Sequence, residues 1–214
     1  MFAALLVLVL AGCVRFQANL DISPDDTVSG DIVVAVIVGD EADSREQAQA
    51  AADDIESQLL AGLSGAQGVT REPYDQDGYL GYRFALSGTP LSAFSSGGTQ
   101  GALTIERSGD EFVFSGVLDF TPNDAEADTV EEDADTSGIT VEVTFPGEVL
   151  ETNGEVSGTT VRWETTYQAK LEMTATGSAI PSGPPAWVLP VVVGVAVVFL
   201  ALIVVIVVRR RASS

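Results

Sequence analysis

The chain has 214 residues, with ten Lys/Arg against 31 Asp/Glu, no histidine and one cysteine. A single Cys excludes an internal disulfide. The lack of His excludes a Cys/His zinc site, a Cys–His nucleophile pair and a Ser-His-Asp triad. A net charge of −21 argues against nucleic acid, whose binders carry clustered Lys and Arg.

The first ten residues, Met1 to Leu10, are uncharged and apolar. This run is too short to span about 30 Å of hydrocarbon but has the length of a signal-peptide core. Leu10, Ala11, Gly12 and Cys13 follow in an order that resembles the lipobox of bacterial lipoproteins. The resemblance implies that 1–12 is a signal peptide and that the Cys13 thiol carries a diacylglycerol. The usual basic residues before the apolar run are missing, which points to a true start further upstream.

From residue 14 the elements follow in order. Phe16 to Ile22 alternates apolar and polar positions, the pattern of a strand with one buried face. Ser23-Pro24-Asp25-Asp26 signals a turn. Val28 to Val38 ends in a continuous β-branched run, which suggests a central strand covered on both faces. A helix is expected over 44–62, with Asp43 or Ser44 as N-cap and Glu46 or Gln47 completing a capping box. Ala48, Ala52, Ile55, Leu59 and Leu63 form its apolar stripe. Two strands, 69–74 and 79–86, flank the hairpin loop Asp75-Gln76-Asp77-Gly78. Its spacing does not match an EF-hand, since position 12 would fall on Phe84. Thr89-Pro90 opens a short helical turn. A second hairpin, 103–106 with 112–120, turns at Ser108-Gly109-Asp110. Residues 122–137 carry seven carboxylates and no cation, so this block should stay solvated. A loose divalent-cation site at Asp128, Glu131, Glu132, Asp133 and Asp135 is the sharper reading. Strands are expected at 139–145, 148–151, 159–167 and 171–176, with Asn153-Gly154 as a turn.

Residues 177–186 form a Pro/Gly/Ser linker. Trp187 to Val208 follows without a charge, and Arg209, Arg210 and Arg211 close the run. At about 1.5 Å per residue these 22 residues reach roughly 33 Å, enough for one pass. The arginines orient that pass with the C-terminus cytoplasmic. Residues 13–176 would then lie outside. All 31 acids fall within 14–186 against seven Lys/Arg, a net charge of −24.

From Phe145 to Trp163 the chain shows Pro146-Gly147, Asn153-Gly154, Gly158 and Trp163 in that order. This run, with the lipobox, the alternating first strand and the basic-capped apolar end, resembles the LppM-type lipoprotein family of actinobacteria. The resemblance implies an extracytoplasmic α+β domain facing the envelope surface, with no established catalytic activity. On physical grounds the motif residues build the fold: Pro146-Gly147 breaks a strand, Asn153-Gly154 turns the chain, and Trp163 fills the core.

The fold class expected is therefore α+β: mostly antiparallel sheets with one main helix packed on them, plus the C-terminal membrane helix. The expected function is a doubly anchored, non-catalytic binding or interaction module of the cell envelope, with no cofactor. Its partners would be membrane lipids and another envelope protein. An envelope lipid or glycolipid in an apolar groove between helix and sheet is the competing reading. A hydrolase would need two carboxylates about 5–10 Å apart, and 31 acids supply such a pair by chance.

Overall fold

The structure is a computed structural model that describes residues 14–39, 42–60, 62–94, 103–119, 138–166 and 169–183. Strand β1 (Val14–Ile22) buries Phe16, Ala18, Leu20 and Ile22 and exposes Gln17, Asn19 and Asp21. It pairs antiparallel with β2 (Thr27–Ile37) along its whole length. In β2 the five residues from Ile32 to Val36 are all buried. A strand reads as continuously apolar when both of its faces are covered, and β2 does lie inside its sheet, between β1 and β4.

Helix α1 (Ser44–Leu59) lays Ala48 and Ala52 on Val14 and Val36. The expected capping box does not form. Asp43 is the N-cap without a side-chain bond, and the Ser44 hydroxyl donates back to the Gly39 carbonyl at 2.6 Å. Strands β3 (Val69–Gln76) and β4 (Tyr79–Pro90) close tightly on Asp77-Gly78. Both turn residues are left-handed, with φ of 56° and 80°, as a two-residue hairpin of right-twisted strands requires. A 3-10 turn at Leu91–Ala93 follows. Then come β5 (Leu103–Ser108) and β6 (Glu111–Asp119). The last stretch holds β7 (Gly138–Thr144), β8 (Val149–Thr152), β9 (Glu155–Ser157), β10 (Thr160–Thr166) and β11 (Lys170–Ser178).

The strands form two sheets. One has seven strands in the order β3-β4-β2-β1-β7-β10-β9, and the other has four in the order β5-β6-β11-β8. All pairings are antiparallel except β1 with β7, which run parallel. One buried cluster joins Phe16, Leu20, Ile32, Phe84, Val141 and Trp163 of the larger sheet to Ile105, Phe112, Phe114, Leu118 and Met173 of the smaller. The sheets thus pack face to face, and α1 covers the part of the larger sheet that the smaller one leaves open.

This corrects the α+β expectation. The described residues are mostly β, with 61% of them in strands and 14% helical. The reason is where the core lies. It sits between two sheets, and α1 is a cover over Val14, Val36 and Tyr82 at one side. Among the described residues no helix is long and apolar enough to cross a membrane. The run 187–208, where a membrane helix was expected, lies outside the described residues.

Strand direction separates the two exits of the domain. Val14 starts β1 at one end of the sheets. The β5–β6 hairpin lies at the other end, where Arg107 donates to the Pro24 carbonyl at 2.9 Å, just past β1. There β11 finishes, and the Ala179 N–H donates to the Asp110 carbonyl at 2.8 Å. Asp119 and Gly138, which border the acidic segment, instead fall at the Val14 end: Gly138 precedes Ile139, the partner of Phe16.

Candidate functional site

The motif residues meet where the two sheets are sewn together. β8 belongs to the smaller sheet and β9 to the larger, so Asn153-Gly154 carries the chain from one to the other. The expected Asn-Gly turn is thus part of a crossover between the sheets, since β8 and β9 do not pair. The Asn153 side chain is the stitch. Its carbonyl accepts from the Trp163 indole N–H at 2.8 Å and from the Thr174 N–H at 2.9 Å. Its amide nitrogen donates to the Glu172 carbonyl at 2.8 Å. One side chain therefore binds β11 in one sheet and β10 in the other.

Packing explains the motif glycines. A Cβ on Gly154 would stand 2.6 Å from the Trp163 indole nitrogen. A Cβ on Gly147 would overlap the Ile180 carbonyl. Gly158, at φ +66°, turns β9 into β10 with open space around it. Pro146 is half-buried at the end of the β7 segment. Trp163 is 4% exposed and stacks obliquely on Phe114, ring centres 5.2 Å apart.

Beside the stitch opens a shallow cleft of about 340 Å³. It is lined by Asn153, Gly154 and Glu155, by Arg162, Trp163 and Glu164 of β10, and by Leu171 and Glu172 of β11. Arg162 pairs with Glu142 and, at 3.0 Å, with Glu164. Those two carboxylates hold its guanidinium more firmly protonated than usual. The lining offers hydrogen-bond donors and acceptors beside Trp163 and Leu171.

Two further clusters ride on the hairpin β3–β4. Near the start of β1, Arg15 lies over the Tyr79 ring at 4.1 Å and donates to the Tyr74 hydroxyl at 2.8 Å. Asp77 completes this group at 3.4 Å. Burial opposes the Arg15 charge, but the bonds to Tyr74 and Asp77 outweigh it and raise its affinity for the proton. On the other side, Arg71 stacks 3.3 Å above Tyr82 and grips Glu56 of α1 at 2.7 Å. The Tyr82 hydroxyl donates to Asp53 at 2.5 Å and accepts from Gln49. Burial first, and then the bond to Asp53, push the Tyr82 hydroxyl above the usual tyrosine range. This second cluster clasps the helix to the sheet.

Leu10, Ala11, Gly12 and Cys13 lie outside the described residues, as do Arg209, Arg210 and Arg211 and the acidic Asp128, Glu131, Glu132, Asp133 and Asp135. Among the described residues no group of His, Cys, Asp or Glu is placed to hold a metal ion. Between helix and sheet, where an apolar groove was expected, Ala48 and Ala52 are buried on Val14 and Val36. The small side chains let the helix backbone come close. Sequence reasoning missed the Asn153 stitch, the Arg15–Tyr74–Tyr79 cluster and the cleft. The Asn-Gly and Trp were visible, but their meeting depends on which sheet each strand joins.

The LppM domain family matches residues 15–179. Protein LppM of Mycobacterium tuberculosis is 29% identical over 168 residues, covering 75% of this chain and 65% of that protein. The match thus spans just under two thirds of that relative's length. The NMR structure of the folded domain of M. tuberculosis LppM superposes with a TM-score of 0.54 at 23% identity, over 80% of this chain and 92% of that one. That likeness concerns the fold.

Proposed function

The chain belongs to the LppM domain family, and from that premise we propose that it is a lipid-anchored, non-catalytic binding module facing outward from the cell membrane. The observation that carries this is the start of β1. The first described residue, Val14, is already 6% exposed and paired with Val36. An acyl group on Cys13 would therefore join the folded domain directly, with no spacer. The apolar run 187–208 and its three arginines supply a second hold on the membrane, with the C-terminus cytoplasmic. Two or three acyl chains anchor firmly where one binds only marginally. Metabolic labelling with a palmitate analogue tests it. The wild type should be labelled and Cys13→Ala should not, and equal labelling would sink the reading.

The partner is another envelope protein or an envelope glycolipid. For a glycolipid, the support is the cleft over Trp163, where Arg162, Glu155, Glu164 and Glu172 offer groups that bond sugar hydroxyls. It replaces the helix–sheet groove as the place to look. Thermal melting with and without a water-soluble glycoside tests it: a rise that Arg162→Ala abolishes supports the sugar, and no rise favours a protein partner.

A further inference from the structure

We propose that Asn153 is a self-modification site that the fold holds in check: when the β8–β9 crossover opens, its side-chain amide converts to a carboxylate and the stitch cannot re-form. The inference rests on neither the anchoring nor the ligand proposed above. The chemistry comes from the neighbouring residue. Asn153 is followed by Gly154, whereas the other two asparagines, Asn19 and Asn123, are followed by Leu20 and Asp124. The backbone nitrogen of Gly154 attacks the Asn153 side-chain carbon Cγ and closes a five-membered succinimide. The bond from Cγ to the amide nitrogen breaks, and that nitrogen leaves as ammonia with the proton of the Gly154 N–H. Water then opens the ring at either carbonyl, which leaves aspartate or isoaspartate at 153. Nothing is oxidised or reduced. Glycine favours the attack because no Cβ crowds the nitrogen. Asparagine counts among the thermolabile residues for this kind of reactivity.

In the folded state both reacting groups are engaged elsewhere. Ring closure needs them aligned about 3–3.5 Å apart. The Gly154 N–H instead donates to the Thr152 hydroxyl oxygen at 3.0 Å, and that hydroxyl donates to the Thr174 carbonyl at 2.9 Å. The Asn153 amide is fastened at both ends: Oδ1 by the N–H groups of Trp163 and Thr174, and Nδ2 by the Glu172 carbonyl. Swinging Cγ onto the Gly154 nitrogen breaks these bonds. The Gly154 peptide unit also has little room to turn, since the place of a Cβ is already 2.6 Å from the indole nitrogen.

Opening is local to the crossover. β8 has four residues and β9 three, and each is an edge strand of its sheet. All three residues of β9 are exposed. Short, exposed edge segments open at a lower free energy than the whole domain. The product then prevents closure. An aspartate at 153 is ionised at neutral pH and has no N–H to offer, so oxygen meets oxygen at the Glu172 carbonyl. Glu155 and Glu172 line the cleft beside it and add like charge. Isoaspartate also lengthens the backbone by one carbon. The conversion thus turns a transient parting of the two sheets into a lasting one.

The test incubates the full chain in detergent at mildly alkaline pH and reads the amide-to-acid mass gain in its proteolytic peptides. Conversion at Asn153 should be fast in urea and slower by roughly tenfold or more in the folded chain. Thr152→Val frees the Gly154 N–H, and Trp163→Phe frees one side of the Asn153 carbonyl. Each should speed conversion in the folded chain and leave the rate in urea unchanged. Asn19, which lacks a following glycine, should keep its amide throughout. Asn153→Asp should melt below the wild type. Equal rates with and without urea, or equal rates in the folded wild type and both variants, overturn the protection by the fold. No conversion in urea, or equal conversion at Asn19, overturns the site itself. An Asn153→Asp midpoint equal to that of the wild type overturns the irreversibility.

Discussion

Replacing Asn153 with Ala removes the stitch between the sheets, and its cost follows from the bonds it makes. Three hydrogen bonds go, to Trp163, Thr174 and Glu172. Each contributes about 0.5–1.5 kcal/mol net, and the Thr174 and Glu172 groups can turn to water. The Trp163 N–H cannot do so easily, since Trp163 is 4% exposed, and an unmet buried donor costs about 1–3 kcal/mol. The expected loss is therefore about 2–4 kcal/mol. Urea unfolding of a fragment spanning 14–183 measures it, followed by fluorescence of Trp163, the single tryptophan of that fragment. Trp163→Phe, followed by circular dichroism, removes the donor from the other side. The double variant should then lose less than the two singles combined, with a coupling of about 0.5–1.5 kcal/mol for the shared bond. A loss under about 0.5 kcal/mol for Asn153→Ala, or strict additivity, would refute the reasoning.

Gly147→Ala should lower stability by about 1–3 kcal/mol, or several degrees of melting temperature, because the new methyl overlaps the Ile180 carbonyl. An unchanged calorimetric midpoint would mean that the exit segment moves aside freely. Tyr82 keeps its proton more tightly folded than unfolded, so its contribution is intact below the usual tyrosine range and is lost as pH rises through the higher folded value. Urea midpoints between about pH 9 and 11 should fall in the wild type and fall less in Tyr82→Phe. Exchanging residues 124–135 for a short Gly/Ser linker should move the melting temperature by only a few degrees, since that composition buries little apolar surface. A midpoint that rises strongly with millimolar calcium in the wild type alone would favour the cation reading.

Where the code was local, the sequence determined the outcome. Alternation marked β1, and the β-branched run marked β2 as an inner strand. The Ala48–Ala52 stripe marked the helix and the face it buries, and Asp75-Gln76-Asp77-Gly78 marked the turn between β3 and β4, of which Asp75 and Gln76 still belong to β3. These signals depend on side-chain period and on which residues tolerate a left-handed backbone, and both are properties of a few neighbouring positions. Tertiary structure decided the rest. Strands β1 and β7 pair in parallel although more than a hundred residues separate them. No local pattern states that register. The same holds for the division into two sheets, which makes the turn at Asn153-Gly154 a crossover between them. It also made the fold mostly β, because a single helix cannot cover what a second sheet covers. The positions of the exits, the acidic borders and the Asn153 stitch follow from that topology. A strand's sequence records which of its faces is buried, and only assembly determines what lies against it.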